Sequence, residues 1–187
     1  QRPDDWWSAL IASARLVLDR AHRQSLEIVA VCASTQSEGT VAVEEDGSLL
    51  HPAILWLDMR GAAAIRRRAG SGLFRVAGYN ARGLARWIRL TGGAPALSGK
   101  DQAAHILYLK EQCPGIYYRA HKFLNVPDYL NFRLTGRMTA TGDSALTSWV
   151  TDNRDLNSIR YDARLIQILG FDEEKLPEIV RSTDILG

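Results

Sequence analysis

An α/β or α+β fold is what this 187-residue sequence predicts, and three observations predict it. An amphipathic helical stretch opens the chain. A strand-rich stretch occupies residues 27–57. A mostly helical pattern then runs from Arg60 to the end, which is the layered alternation of a mixed fold.

Residues 4–22 carry Trp7, Leu10, Ile11, Ala14, Val17, Leu18 and Ala21 at helical spacing. Pro3, Asp4 and Asp5 suit a helix start, because carboxylates there meet free backbone N–H groups and the positive end of the helix dipole. Glu27–Cys32 is a short β-branched run and reads as a buried strand. Thr40–Glu44 reads as a second strand. After an Asp46-Gly47 turn, Leu49–Leu57 reads as a third extended segment, broken or pushed to an edge by Pro52. Helices follow over Gly61–Arg68, Asn80–Leu90, Lys100–Gln112, Val126–Leu134 and Asp162–Leu169. Gly92-Gly93, Pro114, Gly136 and Gly170 stop four of them.

Composition narrows the function classes. Hydrophobic residues make up 46% and charged residues 24%, the balance of an ordinary soluble domain. A formal net charge of +2 points to neither a nucleic-acid nor a membrane partner. No apolar run approaches the ~20 residues that cross a bilayer. Cys32 and Cys113 show no paired spacing and read as buried free thiols of a reducing cytosol, so a cytoplasmic location is expected. His22, His51, His105 and His121 are scattered, so no metal site is expected. Neither a Walker A sequence nor a G-x-S-x-G elbow is present.

Four clusters could carry chemistry. Ser34-Thr35-Gln36-Ser37-Glu38-Gly39 links two predicted strands with hydroxyls, an amide and a carboxylate, the groups a polyol requires. Spacing alone favours a merely solvated loop. Asp58-Met59-Arg60 follows Ile54-Leu55-Trp56-Leu57 at a strand end. There the pair either holds a ligand or serves as a salt bridge or helix cap, and the two readings weigh evenly. Asp143 and Ser144 read most simply as a helix N-cap, and Arg66-Arg67-Arg68 as a solvated helix face.

The order of these elements resembles the FGGY carbohydrate kinases. It runs helix, strand, Gln-containing loop, strand, Asp-Gly turn and Pro52-Ala53-Ile54-Leu55-Trp56-Leu57-Asp58-Met59-Arg60. His105-Ile106-Leu107-Tyr108-Leu109-Lys110-Glu111, Pro114-Gly115-Ile116-Tyr117, Phe123 to Leu130, Arg133-Leu134-Thr135-Gly136 and Thr141 to Ser148 continue it, so the likeness covers essentially the whole chain. It implies an actin-like, ribonuclease-H-like fold. Residues 1–187 would form part of the family's N-terminal domain, with a sheet-forming part to about residue 60 and a mostly helical part beyond. It implies ATP-dependent transfer of a phosphoryl group to a sugar or polyol hydroxyl, with a xylulose-like ketose favoured and ATP and Mg2+ as cofactors of the full-length kinase.

By the same resemblance Gln36, Ser37, Glu38, Asp58 and Arg60 are the substrate-binding residues. The loop departs from the xylulokinase Gln-Met-His-Gly and from the glycerol-kinase Arg-Glu pattern, which leaves the sugar open. His105 and Tyr108 stand where the family commonly has Lys and Trp. The family's Asp-x-Gly-Thr phosphate hairpin and the Gly-Asp-Gln-like segment of its catalytic aspartate have no counterpart here. The expectation is therefore a fragment with no catalytic residue and no cofactor of its own, inactive alone. Family kinases commonly dimerise, so a homodimer is among the expected partners. The alternative reading is a non-catalytic interaction or dimerisation module on the same fold.

Overall fold

The computed structural model describes residues 1–187. Helix α1 spans Pro3–Arg23, with proline in its first turn, Asp4 and Asp5 beside it and Arg20, His22 and Arg23 at the far end, all matched to the helix dipole. Its first half is anchored by aromatic contacts, and near its end Ala21 is buried. Trp6 packs edge-on to Tyr129 with ring centroids 6.3 Å apart, and the Arg133 guanidinium lies 4.7 Å from the Trp7 ring centroid. Between these, Val17 and Leu18 of the predicted apolar stripe are exposed, as is Leu16 beside them.

Residues 27–32 correct the sequence reading most plainly. They form no strand, and Val29 and Val31 are 88% and 70% exposed. A strand exists only through its ladder, and nothing in residues 1–187 pairs with this segment. Cys32 lies on it and is exposed, not buried; Cys113 is partly buried, and both thiols are free.

Strand β1 (Gly39–Val43) is buried at every position. It is the middle of a three-stranded antiparallel sheet, between β2 (Ile54–Leu55) and a strand from much later in the chain. Pro52 confines the predicted third segment to those two residues of β2. At the Asp46-Gly47 turn the Ser48 N–H donates to the Asp46 carboxylate at 2.8 Å. Gly47 has φ +85°, and a side chain there would collide with the Phe132 ring.

Helix α2 (Ala62–Ala69) follows, then a tight hairpin of β3 (Arg75–Val76) and β4 (Tyr79–Asn80) that the sequence reading did not foresee. Helix α3 (Ala81–Thr91) is capped by the Asn80 side chain and ended by Gly92 in the left-handed region. Helix α4 (Gln102–Gln112) is the most enclosed, with Gln102 to Leu107 and Leu109 buried. Short α5 (Pro114–Arg119) leads into β5 (Lys122–Leu124), the second partner of β1. Helix α6 (Val126–Thr135) opens with a capping box between Asn125 and Asp128. Next come β6 (Thr139–Thr141), α7 (Gly142–Ala145), β7 (Thr151–Asp152), β8 (Arg160–Tyr161), α8 (Ala163–Leu169) and β9 (Glu178–Val180). Strands β6 and β9 pair in parallel, and β7 and β8 antiparallel.

Strand alternation divides the core around β1. Val41 and Val43 face a small cluster with Leu124, Tyr129 and Leu130. Ala42 faces the main cluster, in which Trp87, Leu107, Tyr117, Phe123 and Leu165 are fully buried.

Candidate functional site

The even-numbered face of β1 aims Thr40 at α4. There the Thr40 hydroxyl lies 3.1 Å from Nδ1 of His105, which is wholly buried. The other ring nitrogen, Nε2, lies 3.1 Å from the Asp58 carbonyl oxygen. A carbonyl can only accept, so Nε2 carries the proton and Nδ1 accepts from Thr40. Burial pushes the imidazole pKa below its ordinary value, against the pull of the Asp58 carbonyl, so the ring is neutral. Gly61 lets this approach happen, since a side chain there would collide with the Ala104 carbonyl of α4.

Asp58 and Arg60 are brought together, and they hold each other. Arg60 Nε lies 2.9 and 2.8 Å from the two Asp58 oxygens, and Nη2 lies 2.7 Å from Oδ2. Burial pushes the Asp58 carboxyl up, yet the Arg60 hydrogen bonds and charge hold it below the usual range. The guanidinium also sits 5.3 Å from the Tyr108 ring centroid. The pair is thus a salt bridge at the strand end, braced from α4.

Of the polar loop, Ser37 is exposed, while Gln36 and Glu38 are partly buried. Gln36 Nε2 reaches Gln1 Oε1 at a long 3.5 Å. Glu38 stands immediately before β1 with φ +53°, a conformation costly for a side chain with a Cβ. Burial, helped by the charge of Asp101, pushes its carboxyl up to about 7. Asp101 is itself buried at the start of α4, accepting from the Ala96 N–H, and burial pushes its pKa up too. Its charge also raises the Tyr79 phenol, after burial. Thus the Asp101 carboxylate, at the N-cap of α4, acts on both Glu38, just before β1, and Tyr79 of β4.

Sequence reasoning missed Asp101 and Tyr79 and gave His105 no role. Only the helix-start position of Asp101 was a signal. It also misassigned Asp143 and Ser144. Thr141, not these, precedes α7, and no side chain caps it. Ser144 instead donates to the buried Asp128 carboxyl at 2.6 Å, and Asp143 accepts from Ser182 at 2.7 Å. Burial raises Asp128 to about 7, against the Ser144 hydrogen bond. No group of three or more His, Cys, Asp or Glu residues could hold a metal ion. No helix is long and apolar enough to cross a membrane.

Comparison with known proteins agrees with this architecture. The xylulose kinase of Streptomyces rubiginosus is 32% identical over 187 residues, covering 99% of this chain and 35% of that protein. The glycerol kinase of Thermus brockianus is 31% identical over 195 residues, covering 98% and 36%. The chain thus spans about a third of the length of the curated relatives it matches. Among solved structures, the xylulose kinase of Rhodospirillum rubrum superposes with a TM-score of 0.80 at 18% identity, covering 100% of this chain and 36% of that one. The gluconate kinase of Lactobacillus acidophilus does so at 0.77 and 23%, covering 100% and 34%. The fold is accordingly the ribonuclease-H-like, actin-like one of the sugar kinases. With the profile of the FGGY family of carbohydrate kinases, N-terminal domain, matching residues 1–187, the chain belongs to that family.

Proposed function

We propose that this chain forms the acceptor-binding part of a carbohydrate kinase that transfers the γ-phosphoryl group of ATP to a sugar or polyol hydroxyl. A xylulose-like ketose is favoured. The carrying observation is Glu38, held in the left-handed region beside β1 with its carboxyl raised to about 7. A carboxyl poised near neutrality both donates and accepts, which matches a hydroxyl ligand. Gln36 and Ser37 add an amide and a hydroxyl beside it. Asp58 and Arg60 shape the neighbouring strand end as a locked pair.

Titration calorimetry of the full chain with D-xylulose, glycerol and gluconate tests this reading. Saturable binding of one of them, weakened about tenfold or more by Glu38→Gln, supports it. Absence of binding to all three, or binding indifferent to Glu38→Gln, overturns it.

The exposed Leu16, Val17, Leu18, Val29 and Val31 favour a second reading, an interaction or dimerisation module. Light scattering that shows a dimer, with no polyol bound, would select it.

A further inference from the structure

Helices α2, α3 and α8 surround an open cavity of about 840 Å3, and none of Gln36, Ser37, Glu38, Asp58 or Arg60 lines it. Its wall carries Arg67 and Arg68 of α2, Arg82 and Arg86 of α3, Arg164 of α8 and a single carboxylate, Glu111 of α4. The arginine run that reads as a solvated face in sequence therefore joins three more guanidiniums brought by two other helices.

The charges in this wall are unevenly compensated. Arg67 pairs with Glu111, and Arg68 Nε lies 4.0 Å from the same carboxylate. Arg86 is occupied by Asp162, with bonds of 2.8 and 2.5 Å. Arg82 and Arg164 make no salt bridge and no side-chain hydrogen bond within the chain. Two free planar forks on different helices, with a third guanidinium only half neutralised, form a cradle for anionic oxygens at more than one point.

The remaining wall selects the kind of anion. Ile168 is its one apolar residue, so no platform exists for a nucleobase or an apolar side chain. Ser71, Asn80 and Gln167 add hydroxyl and amide groups. The volume falls within the ~300–1,000 Å3 of small-molecule sites. From this we propose that the cavity binds a small molecule carrying two or more phosphoryl groups, gripped by Arg82 and Arg164 and completed by Arg68. Bound there, the anion ties α3 and α8 to α2, the helix that begins two residues after Arg60.

Calorimetry and phosphorus NMR of the full chain with inorganic tripolyphosphate, pyrophosphate and orthophosphate test the proposal, with citrate as a trianion lacking phosphorus. Tripolyphosphate and pyrophosphate should bind about tenfold or more tighter than orthophosphate or citrate, with affinity falling steeply as salt rises. The double variant Arg82→Ala/Arg164→Ala should lose about tenfold or more of that affinity. Its unliganded melting temperature should stay unchanged, because neither side chain has a partner to lose. Arg15→Ala on α1 is the control for general charge. Equal binding of citrate, equal loss in the control, or no loss in the double variant overturns the proposal. So does tighter binding of an acidic peptide or a single-stranded oligonucleotide than of tripolyphosphate.

Discussion

His105 donates a hydrogen bond from Nε2–H to the carbonyl oxygen of Asp58 at 3.1 Å, while its Nδ1 accepts one from the Thr40 hydroxyl. One buried ring thereby ties the central strand, the β2 strand end and the most enclosed helix together. Each connection follows from local rules: strand parity aims Thr40 inward, and Gly61 admits α4 to contact.

Replacing His105 by Phe should leave the buried Thr40 hydroxyl without its partner and the half-buried Asp58 carbonyl without its donor. The expected loss is about 2–4 kcal/mol, read from urea midpoints. Thr40→Val in the His105→Phe background should recover part of it. A double-mutant cycle that gives simple additivity would contradict the coupling.

Acid should act on the same ring. Its folded-state pKa lies below the ordinary value, so the native state binds fewer protons than the unfolded chain. Stability from this group is complete above the ordinary pKa of 6.5 and falls away as pH drops below it. Imidazole resonances should show His105 titrating below the ordinary value of 6.5.

Asp128 works in the opposite sense. Its carboxyl is raised from 3.8 to about 7, so the native state holds a proton that the unfolded chain releases. That contribution is whole below 3.8 and is lost as pH rises through about 7. Asp128→Asn removes the titration. Relative to the parent, the variant should gain about 2–4 kcal/mol between pH 4 and pH 8, measured by denaturant unfolding at both ends.

Glu38→Gln offers a functional version of the same test. If the raised carboxyl binds the polyol, affinity should change through pH 7 in the parent and stay flat in the variant. Parallel pH profiles would remove Glu38 from the site.

Asn125→Ala removes a cap that accepts from the Val126 N–H at 2.9 Å and a side-chain bond to Thr147 at 3.0 Å. A loss of about 1–2 kcal/mol is expected in thermal unfolding, with Asn125→Asp milder because it keeps the acceptor.

Helices were legible wherever a cap and a stop bracketed an apolar period. Asn80 and Gly92 bound α3, Asn125 and Gly136 bound α6, and Asp162 and Gly170 bound α8. Strands were legible only as propensity. Glu27–Cys32 and Thr40–Glu44 look alike in composition, yet only the second finds partners, and partnership is a non-local property. The site divided the same way. Asp58 and Arg60 are neighbours in sequence, and their pairing was one of two readings already open. The closeness of Asp101 to Glu38 and to Tyr79 depends on how α4 and β4 pack, which no local pattern encodes.

Strand β1 also sets a clock for synthesis. Val41 to Val43 are buried against Leu124 to Lys122, residues made about 80 positions later. At roughly 5–20 residues per second on the ribosome, that apolar strand waits on the order of ten seconds for its partner. The order of translation thus leaves this apolar strand without its long-range partner until β5 emerges.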